Sequence, residues 1–279
     1  MRMVISMKLS VFYEHILEAV RQENKSIDEI CKMVSSFGIE GVEIENTRLK
    51  EDKEGVLANL NAGNLKISCM YGFFDFAHTE DLTSGLHMVD LADELDIKKI
   101  MLIPGFLKKM EFLPIIYNHK VDKMISKLQK VCTYAKEKNI MVVLEDFDDK
   151  IAPFATSKQM QYFYENIPEL YCAFDTGNFL YSEEDALEVL PLFIDNIGHV
   201  HCKDRSFDVK EGEIPKATVK GRNMYSAPVG NGVIPMKEIV NRILAKGYHD
   251  YFAIEHFGSL NQLEDMKLSA DWFRNNFNL

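Results

Sequence analysis

Met141-Val142-Val143-Leu144-Glu145, Tyr171-Cys172-Ala173-Phe174-Asp175, Gly198-His199-Val200-His201 and Phe252-Ala253-Ile254-Glu255 are short apolar runs, each closing on a side chain able to bind a metal. A run of this length, ended by an ionisable residue and then by polar or glycine residues, reads as a buried strand with chemistry at its C-terminal end. Helix-like stretches separate the four. That repetition is the pattern of a barrel whose mouth carries a site.

Working outward, the rest of the chain repeats the same unit. A first strand is expected near Val4 to Met7, and its helix carries Ile27, Ile30, Val34 and Phe37 on one face. Ser26 and Glu29 read as a capping box at the start of that helix, and Gly38 as its stop. Gly41 to Glu45 is the second strand, followed by a helix to about Ala62. Lys66 to Tyr71 is the third, and its helix sets Leu86, Val89, Ala92 and Leu95 at helical spacing. Lys99 to Ile103 is the fourth, closed by Pro104-Gly105. A long helix then keeps Val121, Met124, Ile125, Leu128, Val131 and Ala135 in register. After the four runs quoted above, helices are expected from near Ser157, Ser182, Pro235 and Asn261. Strict alternation of strand and helix implies a parallel sheet with right-handed crossovers. Eight units in one chain predict a single (β/α)₈ TIM barrel over residues 1–279, with the site at the C-terminal mouth. The stretch from Arg205 to Val233 is rich in Gly and Pro and is expected to be a lid-like loop over that mouth, or else a solvated insertion.

Composition excludes several classes. The chain has 279 residues and 47% hydrophobic residues, enough for a large core. Its net charge of −11 opposes a nucleic-acid partner. No apolar run reaches the roughly 20 residues of a membrane helix, so no membrane partner is expected. Met1 to Lys8 is too short and interrupted to read as a signal peptide. Cys31, Cys69, Cys132, Cys172 and Cys202 are odd in number, lack C-x-x-C spacing and sit in apolar segments. They read as buried free thiols in a cytoplasmic protein.

Period-two alternation puts Val143 with Glu145, Ala173 with Asp175, His199 with His201 and Ala253 with Glu255 on the inward face. The barrel interior is then small or apolar below and ionisable at the rim. Three carboxylates brought together repel one another unless a cation neutralises them. Glu145, Asp175, His201 and Glu255 therefore suit one divalent ion. The oxygen-rich set favours Mn²⁺ or Mg²⁺, and the single imidazole admits Co²⁺ or Zn²⁺.

Leu144-Glu145-Asp146-Phe147, Phe174-Asp175-Thr176-Gly177-Asn178, His199-Val200-His201-Cys202-Lys203-Asp204, Pro228-Val229-Gly230-Asn231-Gly232 and Ile254-Glu255-His256 together resemble the xylose-isomerase-like barrel superfamily. The likeness is to its sugar phosphate isomerase/epimerase branch, which includes ketose 3-epimerases, hydroxypyruvate isomerase and inosose-processing proteins. The resemblance implies a metal on Glu145, Asp175, His201 and Glu255, with Glu145 and Glu255 also the catalytic acid/base pair. The implied reaction is isomerisation or epimerisation of a small sugar, polyol ketone or sugar phosphate, by proton transfer alpha to a carbonyl through a metal-bound enediolate. The alternative on the same site is an inosose-type dehydratase, a lyase. An AP-endonuclease-like DNA repair enzyme is a further branch, but the extra His ligands of that branch are missing at Ile103-Pro104-Gly105 and at Asn178. A barrel that binds a ligand without turnover is the remaining reading, and a homo-oligomer is compatible with all of them. Many relatives carry His where this chain has Asn178. Asn can donate a hydrogen bond to a substrate oxygen but cannot act as a base.

Other residues are expected around the mouth. Lys203 lies on the His201 face and reads either as a contact to a substrate oxygen or as an ion pair with Asp204 or Glu255. Glu45 and Tyr71 are expected to line the pocket, with Phe73 and Phe74 near it. Arg222 and Arg205 are candidate phosphate contacts from the loop. His199, Glu43 and His256 read as structural, and Gly230 to Gly232 reads as a turn.

Overall fold

The computed structural model describes residues 7–277. The first strand lies later than expected. β1 is Lys8–Phe12, and of the anticipated Val4 to Met7 only Met7 falls inside the described residues, outside any strand. The remaining strands are β2 (Gly41–Glu45), β3 (Lys66–Phe73), β4 (Lys99–Ile103), β5 (Met141–Glu145), β6 (Leu170–Asp175), β7 (Ile197–Ser206), the short β8 (Lys216–Ala217) and β9 (Asn223–Ala227), and β10 (Tyr251–Glu255). Strands β1 to β7 pair in chain order, all parallel. β10 pairs parallel with both β7 and β1, which closes an eight-stranded barrel. The chain is therefore a (β/α)₈ barrel.

Helices cover the outside: α1 (Tyr13–Glu23), α2 (Ile27–Ser36), α3 (Asn46–Ala62), α4 (Thr83–Glu94), α5 (Pro114–Glu137), α6 (Ser157–Asn166), α7 (Ala186–Phe193), α8 (Met236–Ala245) and α9 (Gln262–Asn276). The expected first helix is α2, with the Ser26–Glu29 capping box formed and Ile30 and Val34 buried. Phe37 follows its last turn as the cap, and Gly38 takes φ +79°. α1 is an additional helix. It starts directly after β1, with no polar break to mark the boundary. The helix expected from Ser182 begins later: Phe179–Ser182 is a single 3₁₀ turn, Glu183 turns to φ 61°, and the Asp185 side chain caps α7. All five cysteines are free and buried. No helix among the described residues is long and apolar enough to cross a membrane.

The Arg205 to Val233 stretch is more ordered than its composition suggests. β7 runs on past the barrel and pairs antiparallel with β9, which pairs with β8. Asp204 faces away from the barrel interior and fastens the end of the excursion. Its buried carboxylate accepts from the backbone N–H groups of Gly230 (2.9 Å), Gly232 (3.0 Å), Ile234 (3.2 Å) and Arg205 (2.9 Å). Gly230 sits at φ +84°, where a Cβ would lie 2.0 Å from Trp272 Nε1, so no larger residue fits this turn. Asp204→Ala leaves these donors without an acceptor. It is expected to cost about 3 kcal/mol in denaturant unfolding and to speed amide exchange at Gly230, Gly232 and Ile234. Unchanged exchange there would show that the loop is held by other means.

Candidate active site and metal centre

Glu145, Asp175 and Glu255 close β5, β6 and β10, and His201 stands midway along β7, level with them where that strand leaves the barrel. All four are buried, and one ligand atom from each lies within 4.8 Å of the others. His201 Nδ1 is the centre of the group: 2.8 Å from Glu145 Oε2, 3.5 Å from Glu255 Oε2 and 3.8 Å from Asp175 Oδ2. The backbone fixes Asp175. Its Oδ1 accepts from Gly177 N (2.7 Å) and Asn178 N (2.8 Å) in the turn after β6. Its Oδ2 is buried with no hydrogen-bond partner, 3.2 Å from Lys203 Nζ but out of hydrogen-bonding geometry.

The other ring nitrogen of His201 faces the barrel interior. Nε2 lies 3.2 Å from Glu43 Oε2, and Glu43 Oε1 lies 2.5 Å from His199 Nε2. Lys99 Nζ is 3.0 Å from His199 Nδ1 and 2.8 Å from Asp250 Oδ2. Lys99 can only donate, so His199 accepts at Nδ1 and donates from Nε2 to Glu43. With Glu43 also accepting from His201 Nε2, Nδ1 of His201 faces the carboxylate cluster, donating to Glu145 while the ring is protonated and presenting a lone pair when it is neutral. A buried polar column thus runs down the barrel axis from the mouth to Asp250 and fixes both the ring plane and the tautomer of His201. Glu43 and His199 are buried and hydrogen-bonded to each other inside the barrel. Glu43 additionally orients a member of the cluster.

The electrostatics expose an excess of negative charge. Burial raises Glu255 to about 8, with Asp175 and Glu145 adding to the rise and Lys203 opposing it. Burial also raises Glu145. His201 is raised although burial alone would lower it, because the Glu43 and Glu145 carboxylates outweigh the burial. Asp146, next in the chain, is wholly buried with neither carboxylate oxygen hydrogen-bonded, and burial holds its carboxyl well above the usual range. A divalent cation among Glu145, Asp175, His201 and Glu255 would offset this excess and give Asp175 Oδ2 the partner it lacks. Three carboxylates and one imidazole nitrogen are a fitting donor set for such an ion.

A cavity of about 510 Å³ opens onto the cluster. Glu45, Tyr71, Asn178 and Lys203 all line it, as does Phe73, whereas Phe74 stacks on Phe76 away from it. Tyr71 donates its hydroxyl to Glu14 (2.8 Å). The Asn178 amide is engaged at both ends, donating to the Asp146 carbonyl (2.8 Å) and accepting from Lys203 Nζ (2.7 Å). It therefore positions Lys203 rather than offering a free donor to a ligand. Lys203 pairs with Glu255 and Asp175, not with Asp204, which belongs to the other face of β7. Arg222 does not reach the cavity. Its guanidinium bonds Glu183 (2.6 and 3.1 Å) and lies over the Phe207 ring at the surface. His256 is buried against Gln262 and Ser269. Asp148, Lys216 and Ser226 line the cavity without having been expected there. Asp148 follows Glu145 by three residues, so its place in the loop after β5 already put it near the mouth. Lys216 and Ser226 gave none, because only the pairing of β8 and β9 brings them over the mouth.

Comparison with known proteins places this geometry among relatives. A family model described as xylose isomerase-like TIM barrel matches residues 31–276. An inosose dehydratase of Clostridium perfringens is 29% identical over 134 residues, 46% of this chain and 44% of that one. The chain spans about half the length of the curated relatives it matches. Among solved structures, the IOLI protein with a bound zinc atom superposes with a TM-score of 0.74 at 15% identity, covering 98% of this chain and 100% of that one. D-psicose 3-epimerase with D-tagatose, from Clostridium cellulolyticum, gives 0.70 at 13% identity over 97% and 99%. At these identities the structural likeness speaks for the fold.

Proposed function

Because the chain belongs to the xylose isomerase-like TIM barrel family, we propose that it is a divalent-metal-dependent enzyme that moves a proton alpha to the carbonyl of a small sugar or polyol ketone. The observation that carries this reading is the pair Glu145 and Glu255. Both carboxylates border the cavity, and both lie within 3.5 Å of His201 Nδ1, from strands three apart in the barrel. Glu145, Asp175, His201 and Glu255 would hold the metal. When bound, it would polarise a substrate carbonyl and stabilise the negative charge that deprotonation creates.

The residues of the chain account for the rest. One of the two carboxylates takes the α-proton and the other can return a proton; return to the opposite face of the same carbon inverts it, and return to the former carbonyl carbon, with the hydroxyl proton passing between the two oxygens, moves the carbonyl. Lys203 lines the cavity beside Glu255 and holds negative charge near that carboxylate. Phe12 and Phe73 give the mouth apolar walls that exclude water from the reacting carbon. This is the isomerase or epimerase reading.

A second reading uses the same first step. If the enediolate carries a β-hydroxyl, breaking that C–O bond with protonation of the leaving oxygen releases water and makes the enzyme a dehydratase. Two observations favour it: the curated relatives are inosose dehydratases, and Asn178, where an imidazole shuttle is common, is occupied in holding Lys203. Burial would lower Lys203, but Asp175 and Glu255 raise it, so it stays cationic and would hold negative charge on the leaving oxygen.

Product analysis separates the two. The enzyme, supplied with Mn²⁺ or Mg²⁺, is incubated with a panel of ketoses and inososes, and the products are weighed by mass spectrometry. An isobaric product with a new retention time identifies an isomerase or epimerase. A product lighter by one water identifies a dehydratase. Unchanged recovery of every substrate, with metal bound, would defeat the proposal.

A further inference from the structure

We propose that the hairpin side of the cavity is an anion subsite, in which Arg205, Lys216 and Ser226, with Asp148 as their fixed counter-ion, take a carboxylate or phosphate group of the substrate. The inference rests on the reading above that this cavity receives the substrate, and it narrows the substrate to an anionic polyhydroxy ketone.

β7 carries the argument. Its ten residues run beyond the barrel wall, and period two puts His199, His201, Lys203 and Arg205 on one face. At roughly 3.3 Å per residue, Arg205 stands about 13 Å along the strand from His201. That is the span of a small, extended substrate whose other end reaches the cluster. Arg205 is directly opposite Ser226 in the β7–β9 register, and both line the cavity. They are 5% and 3% exposed.

Their polar atoms are not all satisfied. Arg205 Nη2 donates to Asp148 Oδ2 (3.0 Å) and Lys216 Nζ to Asp148 Oδ1 (2.6 Å). Two cations therefore share one carboxylate, and that carboxylate is ionised. Burial pushes it up, but Lys203, Arg205 and Lys216 hold it down at about 2. One positive charge is left over. Arg205 Nε and Ser226 Oγ are buried without any hydrogen-bond partner. Unpaired buried donors are costly and infrequent in native proteins. Two of them opposite each other, at the wall of a cavity and beside a surplus cation, are complementary to an oxyanion, which offers several acceptors at once. A salt bridge serving only to pin the hairpin would not require Arg205 Nε and Ser226 Oγ to stay open.

The test is a binding measurement that needs no turnover. Titration calorimetry on the full-length, metal-free protein, in an anion-poor buffer, uses inorganic phosphate and acetate as separate probes. Removing the metal prevents either probe from binding on it. One or both probes are expected to bind. Ser226→Ala, which keeps every charge, and Lys216→Gln, at a half-exposed position, should each weaken binding about ten- to a hundredfold. Arg205→Lys should retain more affinity than Arg205→Gln. Preference for phosphate assigns a phosphorylated substrate, and preference for acetate assigns a carboxylate-bearing one. Absence of binding by both probes, or affinities unchanged in Ser226→Ala and Lys216→Gln, overturns the inference. Once a substrate is in hand, Lys216→Gln should raise KM for anionic ketones more than for neutral ones. Failure to turn over any ketone would defeat the proposed function and leave the binding result standing by itself.

Discussion

Glu255→Gln and Glu145→Gln are each expected to lower turnover by about 10²- to 10⁴-fold at saturating metal, with a much smaller change in substrate binding. Gln has the shape of Glu and keeps an oxygen that can face a cation, but it cannot take a proton. The two carboxylates are the only glutamates among the four residues clustered around His201 Nδ1, so neither has an obvious substitute. Each variant also removes one negative charge from a group whose carboxylates burial already raises. Its metal content must therefore be measured beside its rate. Full activity in either variant would dismiss the two-carboxylate mechanism. A rate lost only in proportion to metal would assign the residue to metal holding alone.

The largest loss of stability is expected at Glu43→Ala. Glu43 is wholly buried and bonds the imidazoles of both His199 and His201. Its neighbours hold it charged: burial would raise its carboxyl, but the two histidines bring it far below the usual range. Removing it strands two buried ring nitrogens and takes away one of the two carboxylates that keep His201 raised. Breaking a buried ionic partnership in this way costs about 3–5 kcal/mol. Because Glu43 also sets the His201 tautomer, Glu43→Gln, which keeps an acceptor, should fold better yet weaken metal affinity about 10- to 100-fold. Denaturant unfolding and metal titration read the two effects separately. An Ala variant as stable as the parent would mean that the column is not a connected unit.

The barrel was legible because β5, β6 and β10 are apolar runs that end on an ionisable residue, and β7 carries His201 at the matching level. The four clustered side chains follow from that pattern alone. β1 was placed too early because Val4-Ile5 looks more strand-like than Lys8-Leu9-Ser10-Val11-Phe12. Ser10 breaks the apolar pattern, yet it is wholly buried. α1 was missed because Tyr13 follows β1 without a capping residue. The excursion after β7 could not be read locally: β8 is two residues long, and β9 exists only because β7 extends to meet it. Side chains whose role depends on that pairing, Lys216 and Ser226, were invisible for the same reason. Arg222 and Arg205 looked equivalent in sequence. The register of the hairpin turns Arg205 into the cavity, and Glu183 holds Arg222 outside it.

Hydrogen exchange at the substrate carbon tests the central claim most directly. The wild-type enzyme, loaded with Mn²⁺, is incubated in deuterated water with ketoses and inososes, neutral and anionic, and the recovered ketone is examined by mass spectrometry. Removal of an α-proton by Glu145 or Glu255 predicts uptake of one deuterium at that carbon of at least one compound, abolished by chelation of the metal and by at least one of Glu145→Gln and Glu255→Gln. No uptake in any compound by the metal-loaded enzyme would contradict proton transfer alpha to a carbonyl and leave a barrel that binds its ligand without this chemistry.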